Sequence, residues 1–122
     1  MERDARPMAA AALFGASGVA LGAFGAHGLR ATLSAGALGW WQTGVQYQMW
    51  HALALLGLAA APVAQARLAA TLFALGILIF SGSLYAMALT GVRALGMVTP
   101  LGGALLIAGW LALAWRALRG RR

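Results

Sequence analysis

The chain has 122 residues, of which 62% are hydrophobic, and its nine basic residues are all arginines. This length favours a single domain, and the composition is typical of a membrane protein. The absence of cysteine excludes disulfides, thiolate metal ligands and cysteine nucleophiles. The two acids, Glu2 and Asp4, both precede the first apolar segment, which excludes paired-carboxylate catalysis and carboxylate-driven proton exchange within the membrane.

Four apolar segments, almost free of charge, follow one another at 8–27, 45–63, 68–89 and 96–115. Each has about 20 residues, which as a helix spans a hydrocarbon core of roughly 30 Å. The first segment is too long for the core of a signal peptide, so we expect it to be retained. Because the connections are short, neighbouring segments should be antiparallel. We predict one all-α domain, an integral membrane antiparallel four-helix bundle.

The arginines are distributed unequally between the two sides of such a bundle. One side carries Arg3, Arg6, Arg67, Arg116, Arg119, Arg121 and Arg122. The other side carries Arg30 and Arg93. The positive-inside rule therefore places both termini in the cytoplasm and the protein in the bacterial inner membrane. Since the arginines adjoin membrane ends, where anionic headgroups lie, we expect membrane lipids rather than nucleic acid as partners.

The first segment carries a stripe of glycines that is suited to close helix packing. The stripe consists of Gly15, Gly18, Gly22 and Gly25, spaced three, four and three residues apart. Small residues at such spacing let a second helix approach closely. The spacing leaves open whether that helix belongs to the same chain, to a second copy or to another membrane protein.

Three residues predict where the later helices begin or end. Ser34 is a suitable N-cap for a helix that starts near Ala35 and enters the second segment directly or after a bend at Gly44. Pro62 predicts the end of the second span. Pro100 would fit the first turn of the last helix, if that helix begins there rather than at the start of the apolar segment.

Polar side chains gather in the predicted outer half of the bundle, and we refer to them as the outer polar cluster. The cluster comprises His27, Arg30, Gln46, Tyr47, Gln48, His51, Ser81, Ser83, Tyr85, Arg93 and Thr99. His51 should lie about 9 Å inside the membrane, where an unpartnered polar group is costly. We therefore expect Gln48, Ser81 or Tyr85 to hydrogen-bond it. The predicted cytoplasmic half is almost wholly apolar.

Three interpretations of this cluster remain open. It joins the helices to one another, or it receives a lipid headgroup or a partner's helix with Arg30 and Arg93 at its mouth, or it uses His51 as a catalytic base. We predict no metal and no cofactor, because His27 and His51 should lie at different depths with no carboxylate nearby. We favour a binding or accessory protein over an enzyme; the alternative is an oligomeric small-solute transporter or channel.

Ordered motifs between residues 9 and 115 resemble those of the YgdD/YwdK-like family of bacterial membrane proteins, which is related to the eukaryotic transmembrane protein 256 family. The motifs lie at Gly22–Leu29, Thr43–Leu56, Gly76–Tyr85, Thr99–Gly103 and Gly109–Trp110. The resemblance implies a four-span inner-membrane protein of a family whose biochemical function is unknown. The chain departs from the expected pattern at 35–39, where it is apolar rather than acidic or polar, which argues against a role that needs charge there.

Overall fold

The structure is a computed structural model that describes residues 4–120, and these residues form helices and turns without a strand. The helices are α1 (Arg6–His27), α2 (Ala35–Leu58), α3 (Val63–Thr90) and α4 (Thr99–Arg119), with a short 3₁₀ helix at Arg93–Met97. Glu2, Arg3, Arg121 and Arg122 lie outside the described residues. The all-helical class predicted from the apolar segments is thus confirmed for the described range.

Within residues 4–120, three helical segments are long and apolar enough to cross a membrane. They are Arg6–His27, Val63–Thr90 and Arg93–Arg119. The second helix is not among them, although its 24 residues extend over about 36 Å at helical rise. Its glutamines, tyrosine and histidine lower its hydropathy, so composition alone does not mark α2 as a span.

The bounds of α2 differ from those of the predicted segment at 45–63. The helix starts at Ala35, where the Ser34 hydroxyl accepts a hydrogen bond from the Ala37 N–H at 3.1 Å, and this confirms the predicted N-cap. It continues through Gly44 as one α-helix and ends at Leu58. The prediction that Pro62 ends this span is wrong, because Pro62 immediately precedes α3. The physical reason is that proline lacks an N–H and has a fixed φ, which suits the start of a helix.

Gly91 and Pro100, on either side of the last connection, occupy positions that suit their backbone geometry. After α3 the chain turns at Gly91, whose φ of 72° is in the left-handed region that favours glycine. Pro100 lies in the first turn of α4, as predicted from its missing N–H. The final helix therefore begins at Thr99, three residues beyond the start of the apolar segment at 96.

The helices pack in chain order, α1 on α2, α2 on α3 and α3 on α4, while α1 and α4 do not form a packed interface. The main apolar core comprises Ala11, Leu55, Leu58, Ala66, Ala69, Phe73, Ile77 and Leu106. Phe73 and Leu55 are fully buried within it. The described residues thus lack a packed interface between α1 and α4, although one apolar core takes side chains from all four helices.

The glycine stripe of α1 packs on α2 of the same chain over most of its length. A Cβ at Gly18 would meet Met49, at Gly22 would meet Val45, and at Gly25 would meet the Trp41 ring. Gly15 departs from the predicted stripe, because a Cβ there would have no neighbour within 4 Å.

Candidate functional site

Gln48 lies at the centre of a hydrogen-bond network that joins three helices. Its Nε2 donates to the Phe14 carbonyl oxygen and to the Ser17 hydroxyl, each at 2.9 Å. Its Oε1 accepts a hydrogen bond from the Tyr85 hydroxyl at 2.7 Å. A carbonyl oxygen can only accept, so the contact with Phe14 fixes the orientation of the amide. Gln48 is 3% exposed, and its polar groups are satisfied by α1 and α3.

Two serines of α3 form separate hydrogen bonds to the neighbouring helices. The Ser81 hydroxyl, which is fully buried, donates to the Gly44 carbonyl oxygen of α2 at 2.6 Å. The Ser83 and Thr99 hydroxyls lie 2.6 Å apart and link α3 to the start of α4. Over residues 4–120, no buried side-chain nitrogen or oxygen is left without a hydrogen-bond partner. These polar groups therefore hold adjacent helices together.

His51 has hydrogen-bond partners, but they are not the predicted ones. Its Nε2 accepts from the Trp110 indole N–H at 3.0 Å, and its Nδ1 lies 2.7 Å from the Tyr47 carbonyl oxygen. Because indole only donates and a carbonyl only accepts, these contacts define a neutral ring protonated at Nδ1. The expectation that Gln48, Ser81 or Tyr85 would bind His51 is therefore wrong.

The rotation of α2 explains this error. Gln48 and His51 lie one helical turn apart, but Gln48 bonds to α1 and α3 whereas His51 reaches Trp110 of α4. There its ring meets Phe73 and Trp110 edge-on, with centroids 5.3 Å and 5.8 Å away. His51 thus lies in the half of the molecule predicted to be apolar, away from the Gln48 network.

Of the remaining members of the predicted cluster, Tyr47 packs its ring against Phe80, with centroids 4.6 Å apart, and the others lie at the periphery. His27, Arg30 and Gln46 are exposed. The Arg93 guanidinium carbon is 6.0 Å from the centroid of the Trp40 ring, a cation–π arrangement. The structure therefore divides the outer polar cluster into internal hydrogen-bond groups and exposed residues.

Sequence reasoning missed Trp41 and Trp110 as hydrogen-bonding residues. Trp41 is 3% exposed, and its Nε1 donates to the Leu21 carbonyl oxygen at 2.8 Å. Trp110, half-exposed, is the donor to His51. The one signal in the sequence was the position of Trp110 in the last family motif. Ser17 carried no signal, because an isolated serine in an apolar helix commonly bonds its own backbone.

The Gln48 network borders a cavity of about 210 Å³ between α1 and α3, which we call the α1–α3 groove. The groove is lined by Phe14, Ser17, Leu21, Gln48, Ile77, Leu78, Ser81, Gly82 and Tyr85. Ser17 and Gly82 have small side groups, and a Cβ at Gly82 would meet nothing within 4 Å. The groove therefore opens between its helices, with the polar network along one part of its wall.

A larger cavity, of about 430 Å³, lies between the start of α1 and the first turns of α3. Asp4 and Arg6 form an ion pair there, with 2.8 Å between the guanidinium nitrogen and the carboxylate oxygen. The Arg6 hydrogen bonds hold the pKa of the Asp4 carboxyl below its usual range. Asp4 is therefore charged at neutral pH and neutralises Arg6, which leaves Arg67 as the other charged side chain of this cavity.

Together these features define a small, all-helical membrane protein whose polar residues bond one helix to another. Among residues 4–120, no group of three or more histidine, cysteine, aspartate or glutamate side chains is arranged to hold a metal. A family model described as a protein of unknown function, DUF423, matches residues 21–103. The chain belongs to this family.

Relatives in other bacteria extend this assignment over most of the chain. The UPF0382 inner membrane protein YgdD of Escherichia coli K12 is 46% identical over 116 residues, covering 92% of this chain and 88% of that protein. The UPF0382 membrane protein of Haemophilus influenzae is 44% identical over 113 residues, covering 90% and 91%. No solved structure matches the chain. The resemblance predicted from the motifs is confirmed, and the protein is an inner-membrane protein.

Proposed function

We propose that this protein is an accessory component of the inner membrane that binds a lipid or a partner's helix in the α1–α3 groove. The observation that carries the proposal is the Gln48 network, which reaches the wall of a cavity between two helices. A binding role is also favoured over a catalytic one because both ring nitrogens of His51 are engaged by Tyr47 and Trp110. No free base is then available at that position.

The hydrogen-bonding capacity left in the groove indicates which chemical groups it accepts. Both amide hydrogens of Gln48 are used by Phe14 and Ser17, and the Tyr85 hydroxyl hydrogen is used by Gln48. The groove can therefore still accept hydrogen bonds. The acceptors are the second lone pair of the Gln48 oxygen and the lone pairs of the Tyr85 oxygen. The groove therefore favours a hydrogen-bond donor, such as the ammonium group of a lipid or the hydroxyl or amide of a partner's helix, over a phosphate.

We further propose that all four helices cross the membrane as antiparallel neighbours, with both termini in the cytoplasm. Contacts between α1 and α2 support this orientation, because Gly25 meets Trp41 whereas Gly18 meets Gln48 and Met49. The buried polar side chains of α2, Gln48 and His51, are hydrogen-bonded within the protein, which reduces the cost of placing them in the bilayer. The unequal distribution of arginines then favours cytoplasmic termini.

Cysteine labelling tests this topology. With Arg93→Cys, a membrane-impermeant maleimide added to intact cells should label the protein, because four crossings place this residue outside. With Arg67→Cys, labelling should require opened cells. If α2 lay on the membrane surface instead of crossing, Arg67→Cys would be labelled in intact cells and Arg93→Cys would be protected.

Native mass spectrometry after gentle extraction tests the binding proposal. The parent should carry a bound lipid or partner that is lost in Gln48→Ala and at least tenfold reduced in Tyr85→Phe. Gln46→Ala is the matched control, since Gln46 is an exposed glutamine on the same helix. A bare monomer in the parent and in every variant would contradict the proposal. A mass of several copies would instead support the oligomeric transporter.

A further inference from the structure

The amino end of α3 and the carboxyl end of α4 enclose a basic cleft of about 600 Å³. The cleft is lined by Gln65, Leu68, Trp115, Arg116, Arg119 and Gly120. Both helices are long and apolar enough to cross the membrane, so the cleft lies where the helices reach one membrane surface. It is remote from the α1–α3 groove and does not depend on the function proposed for it.

Among the described residues, no acidic side chain lines this cleft. Arg116 and Arg119 are both exposed, and no acidic residue follows Asp4 anywhere in the sequence. Asp4 itself is paired with Arg6. The carbonyl groups at the end of α4 carry partial negative charge, but the two arginines outweigh it. The cleft therefore attracts an anion.

The amino end of α3 adds to this attraction. Pro62 precedes the helix and provides no side-chain hydrogen bond to its first turn. The dipole of α3 favours a negative group near its amino end. Gln65, in this first turn, contributes an amide donor to the cleft.

The apolar part of the cleft shows what accompanies the anion. On α4, Trp115 precedes both arginines of the cleft and lies one helical turn from Arg119. On α3, Leu68 lies one turn further into the helix than Gln65. The Arg119 guanidinium carbon is 5.5 Å from the centroid of the Trp115 ring, which holds the charge above an aromatic surface. An anionic head with an adjoining apolar chain matches this order of side chains.

We propose that this cleft binds the phosphate headgroup of an anionic phospholipid. Arg116, Arg119 and Gln65 donate hydrogen bonds to the phosphate oxygens, and Leu68 and Trp115 contact the first carbons of the acyl chains. A neutral or zwitterionic lipid lacks the net negative charge that the two arginines require.

A lipid titration of the delipidated, purified protein tests the site. Binding of phosphatidylglycerol and of phosphatidylcholine with the same acyl chains is measured by native mass spectrometry in one detergent. The parent should prefer phosphatidylglycerol. Arg116→Gln and Arg119→Gln should each weaken phosphatidylglycerol binding about fivefold, as expected for one basic residue at an anionic surface. Binding of phosphatidylcholine should not change.

Arg67→Gln is the matched control, because Arg67 is an exposed arginine near the start of α3 that does not line the cleft. It should weaken phosphatidylglycerol binding less than twofold. Equal losses in all three variants, or no loss in Arg116→Gln and Arg119→Gln, would overturn the proposal in favour of diffuse attraction to the basic surface. Displacement of the lipid by an equal concentration of inorganic phosphate would overturn the assignment to a lipid. Circular dichroism of each variant checks that its helix content equals that of the parent.

Discussion

Replacing Gly102 with alanine should weaken the packing of α3 against α4 by about 1–3 kcal/mol, the usual cost of overpacking a close contact. A Cβ at Gly102 would collide with the Phe80 backbone nitrogen and would lie 2.6 Å from its Cα. These atoms belong to the α3 helix and cannot move aside as the end of a flexible side chain could. The two helices would have to separate, which would also disturb the packing of Leu106 against Gly76 and of Phe73 against Gly109.

Gly103→Ala is the matched control for this prediction. A Cβ at Gly103 would lie 3.7 Å and 3.8 Å from two atoms of the Phe80 ring, an ordinary van der Waals distance. Alanine is also favoured over glycine within a helix by about 1 kcal/mol, so this variant should be as stable as the parent or more stable. The free energy of unfolding is measured for each purified protein in mixed micelles that contain an increasing fraction of denaturing detergent. Equal stability of the two variants would show that α3 and α4 do not approach this closely.

Replacing Gln48 with leucine should destabilise the protein by about 2 kcal/mol, because three hydrogen bonds of about 0.6 kcal/mol each are lost within the membrane. The bonds to Phe14 and Ser17 hold α1, and the bond from Tyr85 holds α3. The substitution also leaves the Tyr85 hydroxyl without its acceptor in a half-buried position, which adds to the cost. Since two of the three bonds are made to α1, this helix should be affected most.

Gln46→Leu serves as the control, because it makes the same chemical change at an exposed position of α2. Its stability should be within about 0.5 kcal/mol of the parent, as for most surface substitutions. Limited proteolysis, in the same micelles, reports whether α1 separates first in Gln48→Leu. If the two variants unfold together, the Gln48 network contributes nothing measurable and merely accompanies the packing of α1 on α2.

The sequence predicts the helices well where they are apolar and less well where they are not. α1, α3 and α4 follow from long segments without charge, and Ser34 and Pro100 mark two of the starts. The start of α2 near Ala35 was predicted, but the apolar segment assigned to it, 45–63, begins later and ends later than the helix, because Trp40, Trp41, Gln42 and Thr43 interrupt the apolar pattern. In the structure Trp41 and Gly44 of this part are buried between helices. Hydropathy does not distinguish a polar residue satisfied by neighbouring helices from one in contact with water.

The arrangement of the candidate site depends on how each helix is rotated and on which helices it contacts. Short connections between the helices do not determine either. The spacing of Gln48 and His51 places them three residues apart on α2, and this suggested one shared cluster. In the structure Gln48 faces α1 and α3, while His51 meets Trp110 of α4, 59 residues away in sequence. Nothing in the local pattern of either helix predicts that α4 reaches α2 at this level.

The separation of α1 from α4 has a consequence for how the chain is built into the membrane. Because consecutive helices pack on one another, the contacts of each helix with the preceding one become available as soon as it leaves the ribosome and enters the bilayer. No late step has to bring the first helix to the last one. Such a chain assembles progressively, and the contact between His51 and Trp110 is added when α4 enters. We expect nascent chains that stop after α2 to have already joined Gln48 to Ser17.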